Sequence, residues 1–497
     1  MNDHEKSDSP VVPAKPPNNT GLPVTEVVEE RGLPEGNAAS KTRSGLRAGQ
    51  GAPSALDRVR RIAAKHKDAQ FTALLHHVSV DRLRAAYRAL RPKAAAGVDG
   101  VTWRAYGQDL EANLRDLHER VHRGSYRAKP VRRAYIPKRD GRPRPLGVAA
   151  LEDKIVQRAV VEVLNSIYET DFVGFSYGFR PGRKPHDALD ALAAGILKKR
   201  VNWVLDADIR DFFTSLDQSW LLKFLEHRIA DRRVLRLIQK WLTAGVIENG
   251  KWSETVQGTA QGASASPLLA NVYLHYVLDL WADQWRRRHA HGDVIIVRFA
   301  DDYIAGFEHR EDAERFLHDL RERFAKFALE LQPEKTRLIE FGRNAARDRQ
   351  ARGLGKPESF EFLGFTHICA RTKRGRFKLK RVTITKRMRA KLQEVKEELK
   401  LRRHLPVPEQ GQWLASVVQG HLTYYAVPDN IDAVQAFRTQ VTRHWYRALR
   451  RRSQRTRLDW KRMNRLVVRW LPRVRIMHPW PDDRFDARTQ GRSPVRV

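Results

Sequence analysis

From Leu56 to Ala89 apolar residues recur at helical spacing, as at Leu56, Val59, Ile62 and Ala63, which predicts helices over this stretch. KAAAGVDGVTW (93–103) interrupts the pattern with Gly97 and Gly100, and another helix is expected over 104–122. The period then changes. RRAYIPKRDGRPRPLGV (132–148) reads as a β-hairpin turning at Arg139, Asp140 and Gly141. A helix is expected over 151–170, and NWVLDADI (202–209) is an apolar strand ending in acids. LLANVYLHYVLDLWADQW (268–285) reads as one long helix. VIIVRFADDYIAGF (294–307) has two apolar arms around Asp301 and Asp302, a hairpin pattern. Residues 311–328 are helical and FEFLGFTHI (360–368) is strand-like. Strands and helices mix without a βαβ repeat, so the fold class is α+β.

Composition sharpens this picture. Residues 1–53 are rich in Pro, Gly, Asn, Ser and Thr and read as a mobile N-terminal segment. A hydrophobic content of 41% over 497 residues excludes a wholly disordered chain. No apolar run reaches the ~18–20 residues of a membrane span, and MNDHEKSDSP lacks the order of a secretory signal. Cys369 is the only cysteine, which excludes an intrachain disulfide framework and a zinc site built on Cys pairs. These features predict a soluble protein of a reducing, cytoplasmic setting. His76, His77, His289 and His291 have no acids at ligand spacing and read as solvated or helix-end side chains.

Charge changes the picture most. A formal net charge of +35 is hard to hold on a folded chain without a polyanionic partner, so nucleic acid is expected. Residues 366–497 hold 33 Lys/Arg against 10 Asp/Glu, with Trp413, Trp445, Trp460, Trp470 and Trp480 among them. Basic residues interleaved with aromatics suit phosphate contact and base stacking.

The acids carry the candidate chemistry. Asp301 and Asp302 sit at the expected hairpin turn, and Asp208 ends another apolar strand. Carboxylates gathered together raise one another's pKa, and divalent cations relieve the repulsion. Two Mg²⁺ ions roughly 3.5–4 Å apart can activate a hydroxyl and stabilise a leaving pyrophosphate. An Asp-Asp pair alone is more often a turn. Here it belongs to a series: DIRDFF (208–213), QGASASP (261–267), FADD (299–302), LQPEKTRL (331–338) and FEFLGF (360–365), preceded by YIPKRDGRPRPLG (135–147).

That ordered series resembles the group II intron-encoded reverse transcriptase/maturase family over roughly residues 54–480. The resemblance implies a right-hand polymerase fold. Residues 54–130 would be an N-terminal extension and the start of the fingers, and 131–368 the fingers and palm. Residues 369–480 would be a basic helical thumb/maturase domain, and 481–497 a C-terminal tail. It implies Asp208, Asp301 and Asp302 as catalytic residues, with the Ile209 carbonyl as a further ligand to two Mg²⁺ ions. Phe299 replaces the Tyr usual before Ala-Asp-Asp. Lys138, Arg144, Phe213, Gln261, Gly262 and Lys335 would contact the incoming nucleotide, with Phe213 as the gate against a 2′-hydroxyl. Phe362, Leu363 and Gly364 would form the primer grip.

In WLASVVQGHLTYYAVP (413–428), Tyr424 and Tyr425 match the thumb motif and His421 replaces its Trp. Tyr424, Tyr425 and Trp445 are the expected RNA contacts of the thumb. The implied function is an RNA-directed DNA polymerase that also binds its parent intron RNA to promote splicing and mobility. Intron RNA, RNA template with DNA primer, dNTPs and target DNA are the implied partners. A homodimer is compatible with the family, as is association with the bacterial nucleoid at the DNA target. Having no paired cysteines, the chain resembles the relatives that lack the His-Asn-His endonuclease domain. Two alternatives remain open at this level: a domesticated reverse transcriptase serving phage defence or spacer acquisition, and a non-catalytic RNA-binding splicing factor.

Overall fold

A computed structural model describes residues 55–137, 143–248, 250–255, 257–259, 262–453 and 457–489. The N-terminal segment 1–53, the hairpin tip with Lys138, and Gln261 lie outside the described residues, as does the side chain of Arg144.

The chain begins with helices α1 (Ala55–Lys65), α2 (Val80–Arg88), α3 (Trp103–Tyr106) and α4 (Leu110–Arg123). The Ser79 hydroxyl accepts from the Arg82 amide and so caps α2. Strands β1 (Val131–Pro137) and β2 (Pro143–Val148) form the expected antiparallel hairpin, with Arg132 opposite Val148 and Ile136 opposite Arg144. The long α5 (Leu151–Asp171) follows, then α6 (Pro185–Lys198). Every residue of α6 from Pro185 to Ile196 is buried: its Ala and Leu pack all round, and its polar residues find partners, Asp190 with Arg381 at 3.1 Å and His186 with the Tyr424 carbonyl at 2.9 Å.

Next come β3 (Trp203–Ala207), α7 (Phe212–Ser215), α8 (Gln218–Glu226), α9 (Arg232–Leu242), β4 (Val246–Glu248) and β5 (Lys251–Ser253). β4 runs parallel to β1, so one sheet has the order β2-β1-β4-β5. The segment expected as one long helix divides into α10 (Ser266–Leu274), a π-helical turn over His275–Asp279, and α11 (Leu280–Arg288). β6 (Val294–Phe299) and β7 (Asp302–Phe307) form the second hairpin. After it come α12 (Arg310–Ala325), β8 (Arg337–Glu340) and α13 (Ala345–Ala351).

FEFLGFTHI is a hairpin rather than one strand: β9 (Phe360–Phe362) turns into β10 (Phe365–Arg371), which pairs with β11 (Phe377–Thr383). Leu363 and Gly364 both have positive φ, 45° and 88°, as a two-residue turn of the I′ kind requires. Helices α14 (Thr385–Leu401), α15 (Val407–Tyr425), α16 (Ile431–Arg450), α17 (Trp460–Trp470) and α18 (Pro481–Thr489) complete the chain. Among the described residues no helix is long and apolar enough to cross a membrane.

The central sheet has the order β6-β7-β3-β8, all antiparallel. Both of its faces are covered. Leu205, Ala207, Ile296, Tyr303, Ala305 and Phe307 enter one core with α5 and α10. Their strand neighbours Val204, Ile295, Val297 and Ile304 enter a second core with α6 and the β9–β10 hairpin. Alternation along each strand sends successive side chains into different cores. That is why the strands read as continuous apolar runs. Each large side chain so buried contributes ~1.5–3 kcal/mol. A third core, around Leu414, Val418, Phe437 and Trp445, belongs to the C-terminal helices alone.

Trp445 corrects an expectation. Its side chain is fully buried, and its indole N–H donates to the Gln410 carboxamide oxygen at 3.0 Å. A ring enclosed in this way packs the helices together and offers no face to RNA. Tyr424 is also buried and donates its hydroxyl hydrogen to the Leu363 carbonyl at 2.8 Å. Tyr425 is half-buried and packs on Phe365. These two tyrosines join α15 to the Leu363–Gly364 turn. An added Cβ on Gly364 would stand 3.1 Å from the Tyr425 hydroxyl, and the φ of 88° disfavours any side chain there.

Candidate active site

Strand register brings the three expected acids to one end of the central sheet. Ala207 pairs with Tyr303, so Asp208 leaves β3 beside the start of β7, where Asp302 stands. Phe299 pairs with Asp302, which leaves only Ala300 and Asp301 in the β6–β7 turn. Ala300 takes a φ of +58° to close it. Asp208 and Asp301 are half-buried and Asp302 is exposed. Ile209 is buried and bridges Leu331.

The electrostatics follow from this crowding. The Asp302 side chain is open to the cleft, yet protein surrounds the carboxyl closely enough to strip much of its water. That desolvation, reinforced by Asp301, Asp208 and Asp206, pushes its pKa up to about 7, with Arg387 opposing. Desolvation also raises Asp206 to about 6, against the pull of Arg337 at 3.4 Å. Lys335 donates a hydrogen bond to the Asp208 carboxylate. Desolvation works against the Lys335 charge, but the bond to Asp208 and the field of the three acids prevail and raise its pKa. Among the described residues no three His, Cys, Asp or Glu are drawn into a ready metal cage. The lysine supplies the local counter-charge instead.

A residue that sequence reasoning missed holds the turn. Arg298, in the middle of β6, is fully buried. It donates to Asp279 at 2.7 and 2.6 Å, to Asn271 Oδ1 at 3.0 Å, to Ser176 Oγ at 2.7 Å and to the Ala300 carbonyl at 2.8 Å. The signal was present: a charge inside VIIVRF must find partners when the strand is buried. Gly178 is the second support. A Cβ there would stand 2.2 Å from the Ala300 nitrogen, so the backbone of 178 lies directly on the turn. Asn271 fixes it by donating to the Gly178 carbonyl at 2.8 Å.

Phe213 and Gly262, also expected at the site, lie on other segments. Phe213 is the second residue of α7, whose N-cap Asp211 has a φ of +42°. Its ring is half-buried, edge-on to Phe212, and its carbonyl accepts from the Thr259 amide at 2.8 Å. Gly262 lies against the Gly147 backbone of β2. Just beyond it, the buried Gln157 carboxamide oxygen accepts from Ser264 and Ala265 amides at 2.9 and 3.3 Å. Gln157 was not anticipated, since a lone Gln in a helical pattern carries no signal.

Comparison with known proteins agrees with this geometry. Residues 136–367 match the family described as reverse transcriptase (RNA-dependent DNA polymerase). The chain is 33% identical over 292 residues to the group II intron-encoded protein LtrA of Lactococcus lactis subsp. cremoris, covering 57% of this chain and 47% of that protein. It is 38% identical over 182 residues to protein YkfC of Escherichia coli strain K12, covering 36% and 48%. A shorter match, 30% over 94 residues, covers 18% of this chain and 12% of the mitochondrial nuclear intron maturase 1 of Arabidopsis thaliana. The chain spans about half the length of the first two of these curated relatives. Residues 136–367 are a reverse transcriptase domain. Beyond that domain the chain is similar to a group II intron-encoded protein over 57% of its length.

Proposed function

We propose that this chain is an RNA-directed DNA polymerase that also binds its parent group II intron RNA and so promotes splicing and mobility. The observation that carries the reading is the convergence of Asp208, Asp301 and Asp302 at one end of the central sheet, inside the segment that matches reverse transcriptases. In this reading the sheet β6-β7-β3-β8 is the palm, the β1–β2 hairpin belongs to the fingers, and α14–α17 form the thumb.

The donor set suits divalent cations. Three carboxylates in mutual repulsion, one with its pKa pushed to about 7, lose that repulsion when a cation binds. Asp208, the Ile209 carbonyl, Asp301 and Asp302 would hold two Mg²⁺ ions, a hard cation matched to carboxylate and phosphate oxygens. When bound, the ions supply an activated primer hydroxyl and neutralise charge on the transferring phosphate.

The protein's own groups do the rest. Lys335 exchanges Asp208 for the leaving pyrophosphate. Lys138 and Arg144 grip the triphosphate, and Gln261 and Gly262 border the incoming nucleotide. The Phe213 ring occupies the space a 2′-hydroxyl needs, which selects dNTPs. The Phe362–Leu363–Gly364 turn aims the primer end for in-line attack, where placement governs rate. The basic surface beyond residue 366 tracks intron RNA and template through phosphate contacts, and its affinity falls steeply with salt. Preferential binding to folded intron RNA stabilises it by mass action.

The test is Mg²⁺-dependent extension of a DNA primer on an RNA template, alongside intron binding and splicing. Asp301→Ala is expected to abolish extension while intron affinity and splicing persist. Absence of extension by the folded wild-type protein would overturn the polymerase reading. Loss of splicing in Asp301→Ala at unchanged RNA affinity would overturn the division between the two activities.

A further inference from the structure

The turn that carries Phe213 does not hold itself. α7 has four residues, and its N-cap Asp211 offers no side-chain hydrogen bond to it. A single helical turn has no stability of its own, because nucleation costs more than one turn returns. Its support comes from a segment 45 residues further along the chain. The Thr259 amide donates to the Phe213 carbonyl at 2.8 Å, and the Gly258 amide to the Leu216 carbonyl at 2.7 Å. The two chains are pressed together here. A Cβ on Gly258 would stand 2.6 Å from the Phe213 carbonyl oxygen and 2.8 Å from the Thr214 Cα.

The supporting segment is pinned in turn. Gln218 donates to the Gly258 carbonyl at 3.0 Å. The buried Thr259 hydroxyl shares a 2.7 Å hydrogen bond with the Ser266 hydroxyl, in the first turn of α10. Just before that helix, Gln157 accepts from the Ser264 and Ala265 amides. Gly262 lies between these two anchorages, against the backbone of β2. Thr259 therefore ties two parts of the site into one frame: its amide carries Phe213, and its hydroxyl reaches the far end of the loop through Gly262. Valine has the same shape and would fill this space with no polar group to satisfy. The chain keeps the hydroxyl and spends it on the bond that closes the frame.

We propose that Thr259 is a positioning residue for nucleotide selection, fixing the Phe213 ring relative to the loop through Gly262 so that both close on the same sugar. The inference rests on the reading of Phe213 as the gate against a 2′-hydroxyl. Such a gate works by overlap repulsion, which rises steeply over a fraction of an ångström. A ring that drifts by that much admits the ribonucleotide. Thr259→Val forces the drift. Its methyl needs ~3.5 Å from the Ser266 oxygen, where the hydroxyl stands at 2.7 Å. The segment must move, and the Phe213 carbonyl moves with it.

The experiment uses the full chain on an RNA template–DNA primer duplex with Mg²⁺ and measures single insertions of a dNTP and of the matching rNTP. The readout is the ratio of the two kcat/KM values. Thr259→Val should lower this ratio ~10-fold, a lesser loss than the ~10²-fold that a 1 Å misplacement can cost. Thr259→Ser keeps the hydroxyl and should restore the wild-type ratio. Gly258→Ala, which presses directly on the Phe213 carbonyl, should lower the ratio at least as far as Thr259→Val. A wild-type ratio in both Thr259→Val and Gly258→Ala overturns the proposal. So does an equal loss with both nucleotides at a lowered melting temperature, which would make the segment a support of the fold alone. Phe213→Ala separates the two levels of the argument. A ratio that it collapses and Thr259→Val preserves sinks the positioning role and leaves the gate standing. A ratio that Phe213→Ala leaves intact sinks the gate, and the positioning role with it.

Discussion

Arg298 and Asp279 form a fully buried ion pair directly behind the turn that carries Asp301. The guanidinium meets both carboxylate oxygens and spends its other donors on Asn271, Ser176 and the Ala300 carbonyl. Asp279 is the last residue of the π-helical turn between α10 and α11. Such turns often mark functional sites. Here the turn lies in the segment that partners the β6–β7 hairpin from behind.

Asp279→Ala leaves the Arg298 charge buried and unpaired, which costs about 3–5 kcal/mol. Urea denaturation should report that loss. The pair replaced together, Asp279→Leu with Arg298→Met, should recover most of the stability, since apolar replacements of a buried pair are often neutral. It should still extend primers slowly, because the Ala300 carbonyl has lost its donor. Wild-type extension by the double variant would show that the turn holds itself.

Gly178→Ala tests the second support of the same turn. The new methyl would start 2.2 Å from the Ala300 nitrogen, a backbone atom that cannot swing away. The turn must shift, and displacement on the order of 1 Å can cost ~10²-fold in rate. Single-turnover extension should fall while intron RNA affinity, set by the basic surface elsewhere, stays unchanged. An equal loss in both measurements would mean that the substitution disturbs the fold at large.

The three acids were legible because their strands were. NWVLDADI and VIIVRFADDYIAGF are apolar arms ending in carboxylates, and two antiparallel registers suffice to bring those ends together. The supports were less legible. Arg298 signals only that partners must exist, and Asp279, Asn271 and Ser176 come from segments 19, 27 and 122 residues away. The break in the 268–285 helix left no pattern either, since a π-helical turn preserves the apolar run and shifts only its phase. Trp445 misled for a plainer reason. Aromatics among basic residues can face RNA or the core, and local sequence does not say which.

Trp445 therefore carries a stability prediction. Trp445→Ala should cost about 3–5 kcal/mol, the range for removing a large buried aromatic. Trp445→Phe keeps most of the volume and loses the bond to Gln410, so it should fold and bind intron RNA as tightly as wild type. Trp460, which is 47% exposed and stacked on Tyr446, is the contrasting surface position. A weakened RNA affinity in folded Trp445→Phe, with Trp460→Phe unaffected, would restore an RNA role for the buried ring.

His421 carries a prediction in pH. It stacks on Phe437 at 3.7 Å in the C-terminal core, and its Nε2 has no hydrogen-bond partner. Burial, with Lys391 adding to it, lowers its pKa from 6.5 to about 3. Between these values the unfolded chain binds a proton that the folded chain refuses. The sign is therefore fixed: this residue leaves stability intact above pH 6.5 and erodes it as pH falls towards 3. The slope is up to ~1.4 kcal/mol per pH unit. Asp153 and Asp190, raised by desolvation to about 6, contribute the opposite slope between their unfolded pKa of 3.8 and 6. Comparison of wild type with His421→Phe cancels those terms. The variant should match or exceed wild-type stability at pH 7.5, keeping the stack without an orphaned nitrogen. Its advantage should widen steadily as denaturation is repeated at pH 6, 5 and 4. An advantage independent of pH would mean that His421 keeps an ordinary pKa in the folded protein.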